Sequence, residues 1–299
     1  MLLRVLHDIF GGWKARARGD NKLLAAEHLQ QGAASRSAGM LQDALAHFKR
    51  AVDLAPDDPD CLHAFTEVDD LLKAHTRFPG ETYFAVLARI LEEVKPRTYL
   101  ETGVAAGDSL RLARSPTLAI GIDPEPQIVV PLAPNQRVFA ETSDSFFASR
   151  DVRAELGGLP IDLAFIDGMH HFEYALRDFA NIERHATPQS TILIHDCYPL
   201  DRVTAERDRQ RSFWSGDVWR LIVLLKKYRP ELAIHTIATA PTGLVMVRRL
   251  DPGSRLLLER HNQLREEFLA LDYSYLEQGM AEKLNLFPND WTKVRALLA

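Results

Sequence analysis

Tyr99-Leu-Glu-Thr-Gly103-Val-Ala-Ala-Gly107-Asp-Ser109 decides the fold. An apolar, β-rich run ends in an acid, one glycine turns the chain, and a second opens a helix expected from about Asp108. Glycine reaches φ > 0 cheaply and lets backbone approach a ligand closely. The spacing is Glu-x-Gly-x-x-x-Gly and not Gly-x-Gly-x-x-Gly, so the tight turn that seats a pyrophosphate on a helix N-terminus is missing. An anion here would meet Glu101. The carboxylate suits a cationic ligand end such as an ammonium, which makes Glu101, Gly103 and Gly107 candidate ligand contacts.

Working outward, further β-rich runs follow at 117–123, 137–142, 161–167 and 190–196, with helical stretches expected at 83–94, near Arg150 and over 172–185. The runs are continuously apolar, as strands buried on both faces should be. The alternation predicts an α/β fold with a doubly wound, mostly parallel sheet. Ligands of such sheets bind beyond the carboxyl ends of the strands. Asp123 stands there, twenty residues past Gly103, where a carboxylate accepts bonds from both ribose hydroxyls. Ser143 and Asp144 follow the third run and are placed to line an adenine. Downstream, a helix is expected over 217–228, then an antiparallel hairpin from 233–238 and 243–249. Asp251 and Pro252 read as N-cap and first turn of a helix with Leu257, His261, Leu264, Phe268 and Leu271 on one stripe.

The N-terminal part is different. Residues 2–10 repeat apolar groups at helical spacing, as a docking or membrane-surface helix would, and 11–21 read as a linker. Residues 25–58 resemble one tetratricopeptide repeat: Gly32, Ala44, Phe48, Ala51 and Pro56 fall at its positions 8, 20, 24, 27 and 32. His28 and Ser35 stand where that pattern prefers Trp and Tyr. A single repeat buries its face only by stacking, so it should pack on the main domain or serve a protein partner. The division expected is 1–21 helix and linker, 22–77 helical segment, 78–250 main domain and 251–299 helical extension.

Composition narrows the function. The net charge is 36 minus 41, or −5, which gives no footprint for a nucleic-acid backbone. No apolar run approaches the ~20 residues of a membrane span, and no secretory signal layout is present. Two cysteines, Cys61 and Cys197, lie far apart and indicate no disulfide framework, so a cytoplasmic setting is expected.

With these residues in view, 97–197 resembles the Rossmann-like, class I S-adenosylmethionine-dependent methyltransferases. The stretch Asp167-Gly168-Met-His170-His-Phe172-Glu173, with His195-Asp196, resembles the metal-associated O-methyltransferase branch of antibiotic and sugar pathways. Met169 replaces that branch's usual acid, Phe172 its Tyr, and Gln189-Ser190 its Gly-Gly turn. The resemblance implies S-adenosylmethionine as cofactor and a small glycan-like or secondary-metabolite hydroxyl as acceptor.

The residues themselves suggest how. Asp167 and Asp196 end neighbouring strands, and two converging carboxylates with open positions suit Mg2+. His170 or His195 titrates near neutrality and can take the hydroxyl proton. Asp167 could instead contact the cofactor, and the histidines could play a supporting part. No cysteine or spaced histidine set for zinc occurs. The polar segment 201–211 ending in Phe213-Trp214 reads as an acceptor lid. Two other readings stay open: a partner-binding protein with a degenerate methyltransferase domain, and an NAD-dependent oxidoreductase, which the missing Gly-x-Gly turn disfavours. Homo-oligomerisation stays open as well.

Overall fold

A computed structural model describes residues 2–299, and the side chains of residues 20–299. The chain divides into two compact units, Met1–Thr76 with Arg211–Phe213, and Arg77–Gln210 with Trp214–Ala299.

The first unit holds α1 (Leu2–Ser37), α2 (Leu41–Leu54) and most of α3 (Pro59–Arg77). Residues 11–21 lie inside α1 and form no linker. Two glycines cost a helix about 1 kcal/mol each, but the Lys, Ala and Arg residues that follow are strong helix formers. The apolar stripe of 2–10, with its docking and membrane-surface readings, falls outside the residues whose side chains are described. Gly39, at φ +76°, closes α1, and the Met40 N–H reaches back to the Ser35 carbonyl in a Schellman arrangement. A Cβ added at Gly32 would lie 2.4 Å from the Phe48 ring. α1 and α2 therefore touch at a glycine, and Ala44, Phe48 and Ala51 are buried there.

The second unit is built on an eight-stranded sheet. Its strands are β1 (Thr98–Thr102), β2 (Leu118–Ile122), β3 (Gln136–Phe139), β4 (Leu163–Ile166), β5 (Thr191–His195), β6 (Ala233–Ile237), β7 (Leu244–Arg248) and β8 (Leu286–Phe287), in the order β3-β2-β1-β4-β5-β7-β6-β8. The first five run parallel. β7 alone is reversed, pairing antiparallel with β5 on one side and β6 on the other. Every residue of β1, β4 and β5 is buried, which explains their unbroken apolar runs.

Side chains alternate between the sheet's faces, so two cores form. One gathers Leu100, Ile120, Ala164, Ile192 and Val245 with α7 (Phe172–His185) and α8 (Trp219–Tyr228), counting α5 (Ser143–Ser149) and α6 (Val152–Glu155) before them. The other gathers Tyr99, Phe165, Leu193 and Met246 with α4 (Tyr83–Val94) and the last helix, Trp291–Leu298.

In the second unit, local expectations of a helix fail in two places. No α-helix follows Gly107; only a 3-10 turn, Leu110–Leu112, does. Pro116 disfavours the α region at Ser115, so a helix opened after Gly107 would have to stop by about Arg114. Asp251 and Pro252 do not start a helix either. The Asp251 carboxylate accepts from the Gly253 N–H in a local turn. The helices begin later, as α9 (Leu256–Glu259) and α10 (His261–Leu269), separated at Arg260. Leu257, Leu264 and Phe268 of the expected stripe join the α7–α8 core.

One buried ion pair ties this face together. Arg229, 2 % exposed, gives two hydrogen bonds to Glu183 at 2.7 and 2.9 Å, and Glu183 also accepts from the Asp251 N–H. Glu183→Ala should destabilise the protein by about 3 kcal/mol, because it leaves the buried guanidinium only its bond to the exposed Glu231. Urea denaturation of the full chain measures this, and a loss below ~1 kcal/mol would contradict the assigned role.

Candidate active site

β4 and β5 pair in register, with Ile166 opposite Ile194, so Asp167, His195 and Asp196 leave the sheet at the same edge. Asp196 sits at φ +59° and His170 at φ +44°. Non-glycine residues in this region are uncommon and persist where surrounding structure enforces them. Here the bend turns the four side chains toward one point.

His195 Nδ1 lies 3.1 Å from Asp167 Oδ1 and 3.3 Å from Asp196 Oδ2. His170 Nε2 lies 2.9 Å from Asp196 Oδ2 and 3.9 Å from Asp167 Oδ1. The far nitrogens are also engaged. His170 Nδ1 is 3.1 Å from the Trp214 carbonyl, to which it must donate. The Thr242 hydroxyl donates to Asp196 Oδ1 at 2.8 Å, so His195 Nε2, 3.1 Å from that oxygen, serves it as donor. Each imidazole thus spends one N–H outward and turns its other nitrogen to the carboxylates. A bare lone pair there would face a carboxylate, so each inward nitrogen needs a proton or a cation. Burial pulls both rings down, but Asp196 and Asp167 together overcome it and push His170 up to about 9 and His195 up to about 10. Burial would raise Asp196, but His170 and His195 hold it well below the carboxylate range. Asp167, His170 and Asp196 each present one ligand atom, all within 4.8 Å of one another.

The structure thus brings together the four residues expected at this edge. It places the expected cofactor contacts differently. Glu101 is fully buried on the α4 face of β1 and does not meet solvent. Tyr99 donates to it at 2.7 Å and Ser109 at 2.6 Å. Burial pushes Glu101 up to about 8, against the lowering by these hydroxyls. Gly103, at φ +83°, leaves room for protein: an added Cβ would lie 2.0 Å from the Asp167 carbonyl oxygen. At Gly107 it would meet Ile128 at 2.7 Å. Asp123 ends β2, and its Oδ2 accepts from the Val104 and Ala105 amides at 2.8 and 2.9 Å. Its Oδ1 accepts from the Glu125 amide at 2.8 Å. Ser143 starts α5, and its hydroxyl faces the Asp178 carboxyl.

Sequence reasoning missed three residues. Tyr83, first in α4, stacks on His195 with centroids 3.8 Å apart. Thr242 comes from the turn before β7. Nothing near either residue signals the contact, since each lies 47 or more positions from His195. Asp178 is buried on α7, with Oδ1 unpartnered, and burial pushes it up to about 6. Its signal was available: an acid beside the stripe Ala175, Leu176, Phe179 and Ile182.

Glu101 generates a pH prediction. Its carboxyl is raised on folding, so the native state binds more protons than the unfolded chain between about pH 4.5 and 8, and stability falls as pH rises through that window. Glu101→Gln should remove this contribution, so the variant gains on wild type from pH 5 to 8 and the gap levels above about 8. Urea midpoints at four pH values test it; parallel curves for the two proteins would refute it.

Residues 100–197, which run from β1 to just past β5, match a family model described as a methyltransferase domain. No curated protein sequence matches the chain. Among solved structures, the chain is similar to cofactor-bound Rv0187 from MTB at 15% identity and TM-score 0.44, over 66% of this chain and 93% of that one. It is similar to an O-methyltransferase from Bacillus cereus in complex with SAH at 13% identity and TM-score 0.42, over 70% and 99%. TomG, an O-methyltransferase from Streptomyces achromogenes in complex with SAM, gives 15% identity and TM-score 0.43, over 61% and 89%.

Proposed function

We propose that the chain is an S-adenosylmethionine-dependent methyltransferase acting on a hydroxyl of a small glycan-like or secondary-metabolite acceptor. The observation that carries this is the Asp167–His170–His195–Asp196 cluster at the carboxyl edge of the sheet, within the span similar to a methyltransferase domain. Asp123 would take the ribose hydroxyls, the Gly103–Gly107 loop would pass beneath the amino-acid end, and Ser143 would flank the adenine. Bound there, S-adenosylmethionine would supply a methyl on its sulfonium sulfur, which in-line attack by the acceptor oxygen would remove, the C–S electrons staying with the S-adenosylhomocysteine released. Both inward nitrogens carry a proton in the metal-free cluster, so a histidine takes the hydroxyl proton only after releasing its own to solvent, and His170, the less buried of the two and raised only to about 9, is the better placed.

The donor set also fits a divalent cation. Two carboxylates and an imidazole within one coordination sphere leave sites for an acceptor oxygen, as Mg2+ or Mn2+ requires. Asp167, Asp196 and His170 would hold it, and it would lower the pKa of the acceptor hydroxyl.

The sealed Glu101 favours a second reading, in which a degenerate domain binds no cofactor and the helical unit, tetratricopeptide-like in pattern, binds a protein partner. One experiment separates the two. S-adenosylhomocysteine at 100 times its Kd should add about 2.7 kcal/mol of stability, visible as a rise in Tm, and NAD should add nothing. Asp123→Asn should reduce the gain. No shift with S-adenosylmethionine or S-adenosylhomocysteine would sink the enzymatic reading.

A further inference from the structure

Arg207 and the stretch from Trp214 to Asp217 form a mould around the loop that carries His170. Asp217 is fully buried, and its Oδ1 accepts from the Phe172 N–H at 2.7 Å. Its own N–H donates to the His170 carbonyl at 3.1 Å. Gly216, at φ +61°, presses so closely on that carbonyl that an added Cβ would lie 1.9 Å from its oxygen. Two residues earlier, the Trp214 carbonyl accepts from His170 Nδ1, and the Trp214 ring stacks on the imidazole with centroids 5.2 Å apart.

Arg207 locks this mould. Its guanidinium gives two hydrogen bonds to Glu173, at 2.8 and 2.9 Å, and a third to Asp217 Oδ2 at 2.7 Å. Its carbonyl lies 3.0 Å from His171 Nε2. Glu173 and Phe172 belong to the first turn of α7, immediately after His170. One guanidinium therefore joins the helix that follows His170 to the segment that covers it. A planar, bidentate donor fixes angle as well as distance, which a lysine would not do.

We propose that Arg207 is a positioning residue for His170: through Glu173 and Asp217 it holds the His170 backbone in its left-handed turn and keeps the Trp214 carbonyl on Nδ1, so that Nε2 is the nitrogen presented to Asp167 and Asp196. This rests on the proposed function only in that His170 serves there as ligand or proton acceptor. An outer partner that fixes the orientation of a histidine typically changes metal affinity 10–100-fold when lost. Arg207 is a third exposed, so the site tolerates its replacement better than that of Asp217.

The test uses the full chain, wild type and Arg207→Met, with Mn2+ alone as probe. Arg97→Met is the control, since Arg97 makes an equally bidentate pair with Asp162 at the opposite end of β1. Arg207→Met should weaken Mn2+ binding about 10–100-fold by paramagnetic resonance titration. In the metal-free protein, it should also move the His170 ring-nitrogen resonances away from the pattern of a hydrogen-bonded Nδ1–H. Arg97→Met should change neither. Wild-type affinity together with unaltered His170 resonances in Arg207→Met would overturn the proposal. If wild type itself binds no Mn2+, the cation reading fails separately, and the clamp is judged on the His170 resonances alone. Should Arg207→Met not fold, Glu173→Gln, which breaks the bidentate half of the clamp, carries the same two readouts with the same expected direction.

Discussion

Asp167 and Asp196 end neighbouring parallel strands and cannot stand beside each other unaided. Two like charges within 4.8 Å repel by roughly 3–4 kcal/mol even at an effective dielectric near 20. Much of the architecture at this edge answers that repulsion. His195 lies between the two carboxylates, His170 approaches from the following loop, and Thr242 arrives from β7 to hold Asp196 from behind. Tyr83 covers the flat face of His195. The reversed strand β7 has a direct consequence here, since pairing it antiparallel with β5 delivers its preceding turn to the carboxyl edge.

The sequence made the strands and their ends legible for a physical reason. Strands buried on both faces need unbroken apolar runs, and the residue that ends such a run at the carboxyl edge is where a polar side chain first becomes affordable. Glu101, Asp123, Asp167 and Asp196 could all be picked out in this way. Their partners could not. Tyr83 and Thr242 reach the cluster through tertiary packing, across separations that no local pattern records. The helix expected after Gly107 failed for a related reason: its local signal was sound at one end, but Pro116 closed the other. The glycines were read as places where backbone approaches a ligand, and the atoms that lie against Gly103 and Gly107 are the Asp167 carbonyl and Ile128.

Comparing how the four strand-end acids are neutralised separates architecture from chemistry. Asp123 is held by backbone amides, which neither move nor titrate. Glu101 is held by two hydroxyls and by burial that favours its protonated form, so it acts first as part of the core. Only Asp167 and Asp196 are compensated by groups that can exchange what they carry. An imidazole can release its proton to solvent, pass it to a ligand, or give its place beside the carboxylates to a cation. The same folding constraint, an acid at the end of a buried strand, therefore has inert solutions at β1 and β2 and a reactive one across β4 and β5. Under the proposed function, that difference puts the chemistry at the β4–β5 edge and makes the orientation of His170, more than the identity of any one carboxylate, the feature on which the site depends.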